Sequence, residues 1–484
     1  MRQLSKSLPP KPRPVATVVC AAVVALATSA SAAELRIGAA TISITPDKPI
    51  ALAGQFHTRI SHGADNPITA TAVAIESCEG GRSVDQAILL SCDIAVFFPP
   101  LPQSLRERLR EKLPEFDARK LVMTATHTHT SAVTDENSYD IPKKGVMQPR
   151  EYSVFLIEQI TEVCVRAWNQ RKPGGVSWGL GHAVVGHNRR AVYADGTAKM
   201  YGATDDPKFR GIEGGEDHGL ELLFFWDKQK KLLAAGVNVE CPSQEVESRS
   251  TINADFWHDV REQLKGLFVI GWPGACGDIS PHRMYRKAAE ERMLKLRGLT
   301  CTEDIGRRIS REVKDVCELA KRDIRADVPF AHKVADLALP VRKVTEKEVA
   351  EAQKEIEALK KKGDKSRRGA WFQKTIDRFH TQEKEPTFTV EVHVLRIGDI
   401  AIATNPFELF HDYGTQMKAR SKAEQTFVIE LTGGWGRYLP TARAVAGGGY
   451  SAVVQSSMVG PEGGQVLVDR TVGMINELWK APAR

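Results

Sequence analysis

The sequence Lys120-Leu-Val-Met-Thr-Ala-Thr-His127-Thr-His129-Thr-Ser131 joins an apolar run of β-forming residues to two histidines. Alternate side chains of a strand share a face, so we expect His127 and His129 to point into the same space. Two imidazoles at the end of a buried strand suit a divalent metal ion, or a metal ligand beside an acid–base group. The alternative is an ordinary strand end whose histidines are satisfied by hydrogen bonds.

The rest of the chain has the composition of a globular protein. It has 484 residues, 42% of them hydrophobic and 26% charged, which is enough to bury a large core. Segments with strand and helix periodicity are mixed along the sequence. This predicts an α+β (mixed α/β) fold with a large β-sheet core flanked by helices. Because no internal repeat and no low-complexity linker divides the sequence, we predict that residues 33–484 form a single domain.

Residues 1–32 are typical of a secretory signal peptide. Four basic residues precede an apolar run at residues 15–27, and Ala30-Ser-Ala32 supplies a small-residue cleavage site. We therefore expect cleavage after Ala32 and a secreted or periplasmic protein. No other apolar run reaches membrane-spanning length, so we predict no transmembrane segment in the mature chain and, at most, transient contact with a membrane surface.

Charge and cysteine content exclude two further classes. The formal net charge is +7, and removal of the four basic residues in 1–32 leaves +3. A net charge this small gives no reason to expect nucleic-acid binding. Eight cysteines are present, one of them Cys20 in the predicted leader, so the mature chain would keep an odd number. That number does not suit a disulfide scaffold, and the pairing of Cys301 with Cys317 stays open.

Periodicity also locates individual elements. Strands are predicted at residues 68–75, 85–91, 176–185, 220–226, 232–239, 267–271, 387–397 and 400–404, and helices at residues 105–113, 152–171, 256–264 and 301–326.

Residues 343–385 differ from their surroundings because they carry many charges and few apolar side chains. Thr345 lies three residues before Glu348, which is the spacing of a capping box. Gly363-Asp364 interrupts the helical pattern that follows. We predict a charged helical hairpin, which serves either as a lid or docking arm or only as a solvated surface.

Four more clusters could carry chemistry. Cys241 ends a predicted strand, where it is either a small hydrophobic residue or a ligand. Ser280 lies in Gly277-Asp-Ile-Ser-Pro281, which would also serve as a turn. Glu408 follows another strand in Thr404-Asn-Pro-Phe-Glu408, and Tyr438 and Tyr450 lie in glycine-rich segments.

In combination and order, these segments resemble the amidase domain of the neutral/alkaline non-lysosomal ceramidases, from Gly38 to Tyr450. The resemblance implies that domain's fold and a Zn²⁺ ion held by His127, Cys241, Glu408 and Tyr438. Cys241 stands where the family has its second zinc histidine. Because a thiolate brings negative charge, the metal would be kept with altered reactivity or lost.

The resemblance also assigns catalytic residues. His129 would move a proton to the leaving amine, and Arg189 and Tyr450 would stabilise the oxyanion. Ser280 would support the substrate's polar head; as an alternative, it is the nucleophile.

The resulting hypothesis is an exported zinc-dependent amide hydrolase. It would cleave the N-acyl bond of ceramide or a related small-molecule or lipid-like N-acyl compound by metal-activated water. One alternative is a zinc hydrolase acting on a different amide or ester. Another is a non-catalytic exported binding protein with a decayed metal site. The chain ends shortly after Tyr450, so we expect no counterpart of the C-terminal β-sandwich domain of the full-length enzymes.

Overall fold

The computed structural model describes residues 34–136, 138–364, 366 and 368–480. The predicted signal peptide lies outside the described residues. The protein is 33% helical and 31% strand, with a large central sheet. The predicted mixed fold with a sheet core flanked by helices is therefore confirmed.

The strands, numbered along the chain, are β1 (Glu34–Ser43), β2 (Ala51–Leu52), β3 (Arg59–Ile60), β4 (Thr69–Glu79), β5 (Arg82–Cys92), β6 (Leu121–Ala125), β7 (Lys172–His182), β8 (His187–Asn188), β9 (Arg190–Tyr193), β10 (Ala198–Met200), β11 (Phe209–Ile212), β12 (Gly219–Asp227), β13 (Leu232–Val239), β14 (Phe268–Pro273), β15 (Ile279–Ser280), β16 (Phe330–Pro340), β17 (Thr387–Ile397), β18 (Ile400–Thr404), β19 (Glu408–Leu409), β20 (Gln425–Ile429) and β21 (Tyr438–Leu439).

The helices are α1 (Leu101–Lys112), α2 (Pro149–Asn169), α3 (Phe256–Gln263), α4 (Lys287–Arg297), α5 (Cys301–Ala320), α6 (Glu346–Lys361), α7 (Arg368–Thr381), α8 (His411–Arg420), α9 (Ala442–Gly447) and α10 (Pro461–Leu478). Short 3₁₀ turns cover Ala118–Lys120, Lys321–Asp323 and Val454–Ser456.

Two sheets form the centre of the protein. The larger has eight strands in the order β14-β13-β12-β7-β1-β4-β5-β6, and the smaller has four in the order β16-β17-β18-β20. The larger sheet is antiparallel except for its outermost pairs, β5 with β6 and β13 with β14. In the smaller sheet, β18 and β20 are also parallel. The candidate site lies beyond the carboxyl ends of β6 and β18.

The elements stack in layers around these sheets. Leu89 of the larger sheet and Ile402 and Phe427 of the smaller lie in the apolar core between them. Because successive strand residues face opposite sides, Ile88 and Leu90 pack instead under helices α1 and α2. Helices α3 and α5 cover the β12–β13 half of the same face, and α10 covers the smaller sheet. Helices thus flank both sheets.

The segment at 343–385 is the predicted helical hairpin. Thr345 and Glu348 form the expected capping box at the start of α6. Gly363 adopts φ +64, a conformation that favours glycine, between α6 and α7. Among the described residues, no helix is long and apolar enough to cross a membrane.

Candidate active site

The two histidines lie beyond the strand that precedes them. Strand β6 ends at Ala125, and His127 has φ +66, which is uncommon for a residue with a side chain. The backbone N–H of His127 donates to the carbonyl of Ile94 at 3.0 Å, which fixes this turn. The expectation that a shared strand face would align the histidines is therefore wrong. The turn nevertheless brings the Nε2 atoms of His127 and His129 within 3.3 Å.

His127 faces a buried carboxylate. Its Nδ1 lies 2.7 Å from the carbonyl oxygen of Ala95, an acceptor, so Nδ1 carries the hydrogen. Its Nε2 lies 3.7 Å from Oε2 of Glu408. Burial alone would raise the pKa of Glu408, but His127 and neighbouring donors lower it to about 2. The Glu408 carboxylate also accepts from Nε1 of Trp435 at 3.3 Å, so it is a satisfied anion next to the Nε2 side of His127.

Tyr438 reaches Glu408 because of strand pairing. Glu408 and Tyr438 are register partners in the parallel pair β19–β21, and the N–H of Glu408 donates to the carbonyl of Arg437 at 2.9 Å. The Tyr438 hydroxyl hydrogen-bonds the Glu408 carboxylate. Burial and the charge of Glu408 raise the pKa of Tyr438 well above its usual value, so its hydroxyl stays protonated and donates.

His129 is held by residues that the sequence did not reveal. Its Nδ1 lies 2.9 Å from Oε2 of Glu247, and its Nε2 accepts from Nε2 of Gln244 at 2.9 Å. Burial lowers the pKa of His129, although the Glu247 contact opposes this. Burial would raise the pKa of Glu247, but hydrogen bonds with His129 and His282 lower it well below its usual range. Glu247 therefore stays ionised and orients the imidazole, as carboxylates do in acid–base pairs.

Arg189 contacts residues of the site from outside the cavity. Its Nη2 donates to the carbonyl of Gly277 at 2.9 Å and to the hydroxyl of Tyr438 at 3.3 Å. Its Nη1 donates to Oε1 of Gln244 at 3.2 Å. The guanidinium thus joins the His129 and Tyr438 parts of the site. It does not line the cavity itself.

Ser280 is buried away from the cavity. Its side chain is fully inaccessible, and its Oγ lies 2.9 Å from the hydroxyl of Tyr201. The Oγ also accepts the backbone N–H of His282 at 3.1 Å. The structure therefore joins Ser280 to Arg189 through Tyr201, and not to the space where a substrate would bind.

Cys241 packs in an apolar core. Its thiol is fully buried with Val239, Phe256 and Trp257, and it lies 3.5 Å from the carbonyl of Pro242. Burial raises the pKa of this thiol well above its usual value. In the described part of the chain, no group of three or more His, Cys, Asp and Glu residues is arranged to hold a metal ion. Cys241 therefore belongs to this apolar core, and it does not line the cavity that His127, Glu408 and Tyr438 share.

A cavity of about 480 Å³ opens above these residues. His127, His129, Glu408, Tyr438 and Tyr450 contribute to its lining. Aromatic side chains that line it elsewhere are Phe56, Phe98, Tyr139, Trp371 and Trp435. The cavity thus combines polar groups with aromatic surface, as small-molecule sites do.

Two solved structures are similar to this chain. A neutral ceramidase from Pseudomonas aeruginosa has a TM-score of 0.68 at 15% identity, over 93% of this chain and 76% of its own. A ceramidase complexed with C2 has a TM-score of 0.65 at 14% identity, over 93% of this chain and 77% of its own. The sequence matches no family model and no curated protein. The chain therefore has a neutral ceramidase-like fold, and the predicted resemblance is confirmed at the level of the fold.

Proposed function

We propose that the protein is a hydrolase that cleaves the N-acyl bond of an amide with an apolar chain. The supporting observation is the cavity, which His127, His129 and Glu408 line together with aromatic side chains on a ceramidase-like fold. The aromatic surface suits an aliphatic chain, and the polar groups suit a reacting amide. The substrate class is ceramide or a related N-acyl compound.

Each polar residue has a role in this reaction. His129, oriented by Glu247 at 2.9 Å, is the acid–base group that protonates the leaving amine. Tyr438 and Tyr450 are hydroxyl donors for the oxyanion that forms at the amide carbonyl. Arg189 positions Tyr438 and supplies positive charge behind it, since its Nη2 lies 3.3 Å from the phenolic oxygen.

We further propose that His127 and Glu408 hold one divalent cation next to the Tyr438 hydroxyl, with Zn²⁺ expected. A bound zinc ion would supply Lewis-acid polarisation and water activation at this place. The donor types are those that zinc accepts. The support is the position of His127 Nε2 and Glu408 Oε2, 3.7 Å apart, where one ion would contact both atoms.

One observation favours the second candidate, a non-catalytic binding protein. The side chain that takes the place of the family's second histidine, Cys241, is packed among apolar residues. In that case the cavity would bind an apolar ligand and release no product. Elemental analysis combined with a turnover assay separates the two: a binding protein would release no fatty acid at any zinc content.

Export is also part of the proposal. Its support is the sequence of residues 1–32, with four basic residues, an apolar run and Ala30-Ser-Ala32. Sequencing the N-terminus of the protein recovered outside the cytoplasm tests this: we expect it to begin at Ala33.

Release of fatty acid from a labelled short-chain ceramide and from simple N-acyl amides tests the hydrolase. We expect turnover by the wild type and loss of turnover in His129→Ala. His62→Ala removes an exposed histidine outside the cavity and is the matched control. Equal turnover in both variants would contradict the role of His129.

A further inference from the structure

One wall of the cavity comes from the helical hairpin. Ala370, Trp371 and Lys374, all on α7, line the cavity. Trp371 and Lys374 are three residues apart, so they share one face of the helix. The hairpin thus meets the substrate space directly and is more than a solvated surface.

Trp371 connects this wall to the reacting end of the site. Its ring lies 5.8 Å from that of Tyr450 and 5.9 Å from that of Phe56. Tyr450 in turn lies 5.7 Å from Tyr438, edge to face. An apolar chain bound against Trp371 would therefore extend towards the Tyr438 hydroxyl.

Three basic side chains lie on or near this wall of the cavity. Lys374 is exposed, and within the described residues its ammonium has no hydrogen-bond or ion-pair partner. Arg437 also lines the cavity, with its guanidinium 5.3 Å from the ring of Trp435. Arg368 lies 5.8 Å from the ring of Phe56. The cavity lining also carries two carboxylates: Asp135, which is hydrogen-bonded to Ser138, and Glu408, which faces His127.

Two half-buried arginines, Arg342 and Arg378, lie next to the hairpin. Arg378 of α7 donates to the carbonyl of Ser457 at 2.8 Å and to that of Arg342 at 3.1 Å. Burial is the main reason that the pKa of Arg378 is lowered to about 10, and repulsion from Arg437 and Arg342 adds to this effect. Arg342 pairs with Glu348, with its Nη2 3.4 Å from Oε1, so Arg378 supplies the less compensated positive charge of the two.

We propose that α7 selects N-acyl substrates that carry an acidic group, which Lys374 binds at the edge of the cavity while Trp371 packs against the apolar chain. This inference rests on the proposed function and narrows its substrate class. A neutral ceramide brings only hydroxyls to this edge, whereas a carboxylate or phosphate makes charge-assisted hydrogen bonds with an ammonium.

The test separates binding from turnover. Three compounds with the same acyl chain are compared: N-decanoylglycine, N-decanoylglycinamide and phosphorylated N-decanoylethanolamine. N-decanoylglycinamide is the neutral control for N-decanoylglycine. Their binding is measured by calorimetry in the His129→Ala background, in which turnover is expected to be lost, and their hydrolysis is measured with His129 intact. Lys374→Met and Lys374→Glu change the proposed contact. Lys354→Met removes an exposed lysine of the same hairpin outside the cavity and is the control.

We expect the protein to bind an acidic compound about three- to fivefold more tightly than the glycinamide, the size of one exposed charge pair. Lys374→Met should abolish this preference, Lys374→Glu should invert it, and Lys354→Met should keep it. Comparison of the two acidic compounds shows whether the protein prefers a carboxylate or a phosphate. A preference that is absent from the start, or that survives Lys374→Met, overturns the inference. A preference that depends on Lys374 without hydrolysis of any compound supports the acidic site and contradicts the proposed function.

Discussion

Glu408 and Tyr438 are direct partners in a two-residue parallel strand pair, and both side chains are almost fully buried. The backbone register therefore sets the carboxylate and the phenol side by side at the cavity, before any ligand binds. A buried carboxylate that loses a donor is costly, because its desolvation is no longer compensated. The strand register thus fixes two members of the candidate site together.

Tyr438→Phe should lower kcat/KM by about 100-fold, since removal of one donor to a developing oxyanion has an effect of this order. Tyr193→Phe is the matched control, because Tyr193 is also buried but donates to the carbonyl of Ala203 outside the cavity. Steady-state kinetics on both variants provide the measurement. A loss no larger for Tyr438→Phe than for Tyr193→Phe would remove Tyr438 from the reaction.

Ser280→Ala should reduce turnover far less than His129→Ala. The reason is that Ser280 is fully buried and bonded to Tyr201, so its hydroxyl has no access to a substrate. The comparison requires kcat for both variants and a check that each is folded by circular dichroism. Complete loss of turnover in a folded Ser280→Ala protein would favour the serine nucleophile instead.

Cys241→Ala should leave the metal content unchanged and lower the free energy of unfolding by about 1 kcal/mol, the effect of removing a small buried group. The thiol packs with Phe256 and Trp257, so its contribution is apolar contact. Elemental analysis and urea unfolding of wild type and variant give both quantities. If zinc is present in the wild type and absent from Cys241→Ala, the thiol is a ligand after all.

Glu391 should make stability sensitive to acid. Burial would raise the pKa of Glu391, but hydrogen bonds with His393 and Arg106 lower it to about 2. An unfolded glutamate has a pKa of about 4.3, so this stabilisation is complete above that pH and is lost as the pH falls towards 2. Arg106 is itself buried, 3.0 Å from Oε2 of Glu391.

Glu391→Gln should therefore cost about 3 kcal/mol at neutral pH, because a buried cation is left unpaired. The difference from wild type should shrink between pH 5 and pH 3 in guanidinium unfolding experiments. Glu357→Gln, an exposed substitution on α6, should show no such change. A Glu391→Gln difference that stays constant with pH would contradict the assigned pairing.

Strongly apolar elements were predictable from the sequence. The predicted strands at 232–239, 387–397 and 400–404 match β13, β17 and β18 because each is a continuous β-forming run between turn signals. The helical hairpin was equally visible, through its capping box and glycine. Strand β16 was not predicted, because its alternation is weak and its order comes from pairing along its whole length with β17.

The structure brings only part of the predicted set to one cavity: Cys241, Ser280 and Arg189 do not line it. His127, Glu408 and Tyr438 meet as the resemblance implied, yet the positive φ of His127 depends on the distant carbonyl of Ile94. Glu247 lies in no motif. It reaches His129 because the Oγ of Ser243 donates to the carbonyl of Thr126 at 2.8 Å and so anchors the loop that contains both Ser243 and Glu247. Such long-range bonds leave no local signal in a sequence.

The central claim is that the polar patch around His127 hydrolyses an N-acyl amide. The most direct test is the release of fatty acid over time from a labelled N-acyl substrate, measured for wild type and His127→Ala at matched folded concentrations. We expect steady release by the wild type and none above background by His127→Ala. Equal release by the two proteins would contradict it.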